Sequence, residues 1–275
     1  MTDPAHPTAP WPPRGRLLVV TAVAAEREAV AAGLRAAGSA YGEAYGTADV
    51  IAGGVGPAAA AAATANALAR ADTAGDPYRL VVSAGIGGGF APAAPLGSVV
   101  VAAAIVAADL GVRTAEGFTP VEELGFGTSE HRTPAALGEA VSTALGAAYG
   151  PVLSVSTVTG TAERGAELSE RHPDALAEAM EGFGVAAAAT AAGVPVLEIR
   201  TVSNAVGPRD RAAWRIGPAL AALTTAFERL PAALADFGKQ TDSEQLVDSK
   251  QPADSGKQAD SGKQADATEV DAGHG

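Results

Sequence analysis

Apolar residues along this chain fall into two alternating rhythms. Short runs rich in β-branched residues predict strands: RLLVVTAV (16–23), TADVIAGGVG (47–56), YRLVVSAGIGGG (78–89), LGSVVVAAAIVAAD (96–109), PVLSVSTVTG (151–160) and PVLEIRTVSNAVG (195–207). Between them lie stretches with helical spacing: EREAVAAGLRAAG (26–38), PAAAAAATANALARA (57–71), TPAALGEAVSTALGAAYG (133–150) and RAAWRIGPALAALTTAFERL (211–230). The first stops at Gly38, and the second places a proline in its first turn. Several strands are apolar on both faces. The predicted fold class is therefore α/β, a single domain with a central mixed β-sheet flanked by helices. The segment ALAEAMEGFGVAAAAT (175–190) admits two readings. One is a single helix from Pro173 to Gly193. The other is a short strand through LAEAM, a break, and a helix from about Gly182. Gly182 and Gly184 would each cost about 1 kcal/mol inside a helix, and the second reading sets Glu181 at a strand-to-helix junction.

In open α/β sheets ligands gather at the carboxyl ends of the strands. The most polar or glycine-rich loops do follow strands, at 24–26, 53–56, 85–89, 159–164 and 203–211. Composition narrows the ligand. A net charge of −12 argues against nucleic acid or an anionic membrane as partner. Cysteine is absent, so neither a disulfide framework nor a thiolate nucleophile is available. No uninterrupted apolar stretch approaches the roughly 20 residues of a membrane span. The N-terminal MTDPAHPTAPWPPRG lacks the charged-then-apolar order of a signal peptide, so a cytoplasmic protein is expected. The ends read as outside the fold. Residues 1–15 are proline-rich. From Gly238 the chain turns into an acidic low-complexity tail (238–275) with the repeat DSGKQADSGKQAD, leaving 16–237 as the folded domain. His6 and His274 lie in those ends and His131 and His172 have no ligand spacing around them, so neither metal nor cofactor is expected.

Four short stretches carry possible chemistry, and each alone has an ordinary explanation. Glu26 follows the first strand, where a first-turn glutamate suits the helix dipole. SAGIGGGF (83–90) lets backbone approach a ligand, but it lacks the Gly-Lys-Ser/Thr of a phosphate loop and could be a tight turn. Met180-Glu181 could be a surface carboxylate at a helix start. Ser203-Asn204 follows a buried strand, where Asn is common in turns.

Taken together, in order and each after its expected strand, the four resemble the nucleoside phosphorylase and nucleosidase superfamily over residues 16 to 230. Within it they are most similar to methylthioadenosine/S-adenosylhomocysteine nucleosidases and, closer still, to futalosine hydrolases. The resemblance implies N-glycosidic bond cleavage of a small-molecule nucleoside by a homo-oligomer. Glu26 would activate the attacking water. Glu181 would accept hydrogen bonds from the two ribose hydroxyls, with Met180 against the sugar. Gly87, Gly88 and the VTGT stretch ending at Thr161 would bound sugar and base. Phe183 or Phe90 would stack on the base, unless either is simply core. Ser203-Asn204 would meet the purine.

Two departures from the family pattern refine this. Phosphorylases of the superfamily hold phosphate with arginines, one typically near the glycine loop, and VVSAGIGGGF has none. A hydrolase is favoured, although Arg16, Arg35 and Arg132 stay open as phosphate ligands. Adenine-releasing nucleosidases carry Asp where this chain has Asn204. An amide donates hydrogen bonds but cannot supply a proton near neutral pH. It suits the two acceptors, ring nitrogen and oxo group, of a 6-oxopurine such as hypoxanthine. GPRDRAAWRI (207–216) also resembles futalosine hydrolases, and it offers Arg209, Arg211 or Arg215 to the substrate carboxylate and Trp214 to its aryl ring. The alternative is a solvated helix start with Asp210 paired to an arginine. An adenine-type nucleosidase, a purine nucleoside phosphorylase and a non-catalytic nucleoside-binding protein remain the rival readings.

Overall fold

The structure is a computed structural model that describes residues 15–38 and 47–248, with side chains through Thr241. Its order is β1 (Arg16–Thr21), α1 (Ala24–Ala36), β2 (Ala48–Ala52), α2 (Pro57–Thr73), β3 (Tyr78–Gly89), β4 (Val99–Ala107), β5 (Gly111–Arg113), β6 (Phe118–Pro120), β7 (Glu130–Arg132), α3 (Ala135–Leu145), β8 (Ala148–Ser154), α4 (Ala162–Arg171), β9 (Ala177–Ala179), α5 (Gly182–Ala191), β10 (Val196–Ala205) and α6 (Ile216–Asp248). A single 3-10 turn, Arg211–Ala213, precedes α6. One mixed sheet of eight strands runs in the order β10-β4-β8-β9-β3-β1-β2, with β7 on β4. Because β10 also pairs with β3, the strands β3, β10, β4, β8 and β9 form a closed circuit. β5 and β6 make a separate hairpin.

Period-two alternation sorts the core into two layers. Leu17 and Val19 of β1, with Leu80, Val82 and Ala84 of β3, face α1, α3 and α6 through Val30, Leu137, Val141, Leu223 and Phe227. Leu18 and Val20 of β1, with Val81 of β3, face α2 and α5 through Ala60, Leu68, Val185 and Ala189. Both faces of the strands are buried, which is why they read as continuous apolar runs. A third cluster, around Leu153, Val155 and Leu168, closes the β8–α4 end.

The ambiguous segment resolves as the second reading: β9 is three residues long, and α5 starts at Gly182 with Glu181 as its N-cap residue. Sequence reading ran the 133–150 helix into what is β8, and it saw neither α4 nor the three-residue strands β5, β6 and β7. The last helix passes the compositional change at Gly238 and continues to Asp248. Its backbone keeps helical hydrogen bonding after its apolar anchors, Leu234 and Phe237, have been placed in the core. The rest of the tail reading, and residues 1–14 of the N-terminal one, lie outside the described residues.

Candidate active site

The carboxyl ends of β1, β3 and β10 converge on a buried guanidinium ringed by carboxylates. Arg200, on β10, is fully buried. Its Nε donates to Glu198 Oε1 at 2.8 Å, its Nη1 to Glu181 Oε2 at 3.3 Å and its Nη2 to Ser83 Oγ at 2.9 Å. Burial works against the charged guanidinium, but Glu198, Glu181 and Glu26 outweigh it and hold the Arg200 pKa above its ordinary value. Burial pushes the Glu198 carboxyl up despite Arg200, and Glu198 Oε2 has no hydrogen-bond partner among the described residues. Room for this cluster comes from two glycines. A Cβ on Gly85 would stand 2.6 Å from both Arg200 Nη1 and Glu26 Oε1, and one on Gly182 would stand 2.3 Å from Glu198 Oε1.

Glu26 is 4% exposed, and backbone holds it from two sides. Its Oε2 accepts from the Ala22 and Val23 N–H groups at 3.0 and 3.3 Å, and its Oε1 from Ile86 N–H at 2.9 Å. It is both a helix-start glutamate and a carboxylate aimed at the glycine strand. Glu181 is paired without any ligand: besides Arg200, it accepts from Gly56 N–H at 3.2 Å, where α2 begins. The positive end of that helix favours the negative charge.

A second group of polar residues lies where β10 and β9 flank the end of β3. Between Val202 and Asn204 the β10–β3 register slips by one, so that Val202 faces Gly87 and Asn204 faces Gly88. Such a bulge re-aims a side chain, and here it brings Asn204 Nδ2 over Gly88, where a Cβ would be 3.2 Å from it. The Ser203 hydroxyl lies within hydrogen-bond reach of Asn204 Oδ1 (2.9 Å) and the Gly87 carbonyl (3.2 Å). Engaging Oδ1 in this way leaves the NH2 end of the amide to face outward, with one hydrogen on Ala205 O. On the other flank, Glu178 of β9 pairs with the same Gly88. Its Oε1 accepts from Thr159 N–H at 2.8 Å and its Oε2 from the Thr159 hydroxyl. Burial pushes the Glu178 carboxyl up, and the Thr159 donors oppose the shift.

The structure brings together Glu26, Glu181, Gly87, Gly88, Ser203 and Asn204, with Met180 half-buried beside Glu181. Others are placed differently. Thr161 is exposed and caps α4, accepting from Arg164 N–H at 3.2 Å; Thr159 is the threonine of that loop that reaches a buried carboxylate. Phe183 packs its ring on His131 at 5.0 Å between centroids, and Phe90 joins the core around Leu153, so packing accounts for both. Arg209 and Arg211 are exposed. The Arg209 guanidinium lies 5.8 Å from the Trp214 ring centroid, and the Arg209 backbone N–H donates to Gly160 O, docking the post-β10 loop on the post-β8 loop. Arg215 N–H bonds Ser203 O at 2.8 Å, and Asp210 caps Ala212 N–H rather than pairing with an arginine. Of the arginines left open as phosphate ligands, Arg16 pairs with Asp49 and Asp76 at the amino end of β1, Arg132 pairs with Glu130, and Arg35 is exposed in the last turn of α1.

Sequence reading missed Arg200, Glu198 and Glu178. The glycine strand does have an arginine beside it in space. It comes from β10, and the expectation that none is near holds only along the chain. The available signal was period two: Glu198 and Arg200 alternate with core residues Leu197 and Ile199.

Comparison with known proteins agrees with this geometry. The model of the phosphorylase superfamily matches residues 19–237. A futalosine hydrolase of Streptomyces coelicolor is 63% identical over 227 residues, covering 79% of this chain and 96% of the relative. One from Acidothermus cellulolyticus is 45% identical over 231 residues, covering 80% and 92%. Among solved structures, a methylthioadenosine/S-adenosylhomocysteine nucleosidase of Neisseria meningitidis aligns with a TM-score of 0.64 at 19% identity, over 80% of this chain and 99% of that one. The futalosine hydrolase of Helicobacter pylori aligns with a TM-score of 0.62 at 16% identity, over 81% and 97%. The structural likenesses show the fold, and the sequence likenesses reach further: this chain belongs to the phosphorylase superfamily and, within it, to the futalosine hydrolase family.

Proposed function

We propose that this chain hydrolyses the N-glycosidic bond of futalosine and releases hypoxanthine. The observation that carries the hydrolytic reading is the charge balance around Arg200. One cation is met by three buried carboxylates, Glu26, Glu181 and Glu198, and three of its five N–H groups are committed to Glu181, Glu198 and Ser83. A phosphate dianion needs uncommitted cationic or amide donors and would be repelled here, whereas water and a ribose diol are welcome.

In the reaction, the electron pair of the bond between the base nitrogen and the sugar's anomeric carbon leaves with the base. Positive charge builds on the ribose, as in glycoside hydrolysis. Glu181 has acceptor capacity beyond Arg200 and Gly56, so the two ribose hydroxyls can bond to it as that charge grows. Glu26, fixed by three backbone donors, takes the proton of the attacking water while the water oxygen bonds to the anomeric carbon. Asn204 donates from its NH2 end to the departing 6-oxopurine and stabilises the negative charge it carries away. Ser203 sets the direction of that donation through Oδ1.

The same reading places the chain in the futalosine route to menaquinone, in the cytoplasm, as a homo-oligomer. No helix among the described residues is long and apolar enough to cross a membrane. The deciding experiment is incubation of the purified protein with futalosine, with and without phosphate, and chromatography of the released base. Hypoxanthine released at the same rate in both samples supports the proposal. Adenine-nucleoside cleavage instead, or strict dependence on phosphate, would overturn it.

A further inference from the structure

Glu178 has no part in the chemistry just described, yet it is a buried carboxylate, 5% exposed, in a strand of only three residues. Its register partner is Gly88, which on the other side pairs with Asn204. Cross-strand partners point to one face of a sheet, so Glu178 and Asn204 stand on the same face of β3 with a glycine between them. With no side chain of its own, Gly88 lets two others close over it: a Cβ there would stand 3.0 Å from Val206 Cγ2 and 3.2 Å from Asn204 Nδ2. Two strand spacings separate the outer positions by about 10 Å. Asn204 Nδ2 leans over Gly88 from the β10 side and Glu178 stands on the β9 side, so a base lying above Gly88 meets both.

We infer that Glu178 accepts the N1–H of the purine and, opposite Asn204, makes the site select 6-oxopurines. The assignment rests on the reading of Asn204 as the contact to the base. A 6-oxopurine carries a donor at N1, and adenine carries a lone pair there. An ionised carboxylate only accepts hydrogen bonds and has about four acceptor positions. Thr159 occupies one on each oxygen, which fixes the carboxylate's plane and leaves the others for a base. Against adenine the same oxygen would face the N1 lone pair without a proton between them. A site built to bond a substrate N–H rejects analogues that lack it far more strongly than a merely apolar pocket can. Asn204 alone supplies only part of this discrimination, since its NH2 end addresses the ring-nitrogen and oxo edge and leaves N1 unread. Glu178 reads the opposite edge of the ring with a group of one polarity.

The test is calorimetric binding of three bases, hypoxanthine, adenine and 1-deazahypoxanthine, to the wild-type protein and to Glu178→Gln and Glu178→Ala. In 1-deazahypoxanthine a C–H replaces the N1–H. Wild type is expected to prefer hypoxanthine to the deaza base by at least about tenfold, the value of one charge-assisted hydrogen bond. That ratio should fall below about threefold in Glu178→Ala. Glu178→Gln, which keeps the size and one acceptor for the Thr159 N–H, should lose about tenfold in hypoxanthine affinity and gain affinity for adenine, because its amide can donate to N1. Equal wild-type affinity for hypoxanthine and its deaza analogue would overturn the assignment without any variant, and so would an unchanged ratio in Glu178→Gln. A wild-type protein that cleaves futalosine but shows no such preference would leave the proposed function standing and sink this inference alone. One that neither cleaves futalosine nor binds hypoxanthine would sink both.

Discussion

Arg200 Nη1 stands 3.3 Å from Glu181 Oε2, and the two side chains are 0% and 6% exposed. The residue expected to bind the ribose is thus half of an ion pair before any sugar arrives. Its burial is explained by Arg200 and the α2 amino terminus, and the diol adds to an existing network. Replacing Arg200 with Met should cost about 3–5 kcal/mol, because it strands Glu181 and Glu198 as uncompensated buried charges. Arg200→Lys restores a charge but cannot reach three partners with a planar fork, so it should recover less than half of the loss. Thermal unfolding of the three proteins checks this.

Glu26→Gln should lower the rate of futalosine cleavage by about 100-fold to 10,000-fold, the range of a lost general base. The base end of the site does not involve Glu26, so hypoxanthine affinity should change less than about threefold. Steady-state kinetics beside a binding titration separates the two effects. A comparable loss in both would remove Glu26 from the proton transfer.

Asn204→Asp should reduce hypoxanthine release by at least about tenfold near neutral pH. The substituted side chain sets a carboxylate where negative charge develops on the leaving base, and it gives up the NH2 donor. Cleavage of an adenine nucleoside, measured in parallel, should rise relative to the hypoxanthine nucleoside.

Gly182→Ala would push a methyl group to within 2.3 Å of Glu198 Oε1 and 2.4 Å of Oε2. We expect a loss of about 1–3 kcal/mol from overpacking and a displaced Glu198–Arg200 pair. Gly217→Ala is the control: a Cβ there meets nothing within 4 Å, so the change should be neutral or stabilise α6 by up to about 1 kcal/mol. Urea unfolding midpoints of the two variants should move in opposite directions or not at all for the control.

Two groups away from the candidate site shape the pH range of stability. Hydrogen bonds from Arg113, with those from Arg164 and Arg171, hold the Glu167 carboxyl at about 2 against an ordinary 4.5. Its folded pKa is depressed, so its contribution is present above pH 4.5 and is lost as pH falls toward 2. Glu167 is 30% exposed, and after solvent screening the effect is about 1 kcal/mol. Burial, with Asp49 beside it, pushes the Tyr78 hydroxyl up to about 12 from 10. A raised pKa acts in the other direction: its contribution is complete below pH 10 and disappears as pH climbs to 12. Glu167→Gln should therefore be less stable than wild type at pH 7 and approach it in acid. Tyr78→Phe should flatten the alkaline limb of the stability curve.

Much of this molecule can be read from local pattern. Strands such as Arg16–Thr21 and Tyr78–Gly89 announce themselves because both faces are buried, and α2 announces itself by Pro57 and a run of alanines. The elements that escaped notice are those with little local signal. β5, β6 and β7 are three residues each, and α4 is short and mostly polar behind its Thr161 cap. Residues at or just past strand ends, Glu26, Glu181 and Asn204, were accessible as candidates because position along the chain and residue type already point to ligand chemistry.

Arg200, Glu198 and Glu178 were not accessible in that way, since each is embedded in an apolar strand and its meaning depends on its neighbours across the sheet. The amino-acid sequence alone determined the α/β architecture, the strand ends that carry the chemistry and the family, because periodicity and short motifs are local properties of a chain. Only the tertiary structure decided which carboxylate is paired with which cation and which side chains share Gly88. Those relations join residues far apart in sequence, Glu181 to Arg200, Glu26 to Ile86 and Glu178 to Asn204 across β3. Strand register and burial create such relations, and no local pattern encodes either one.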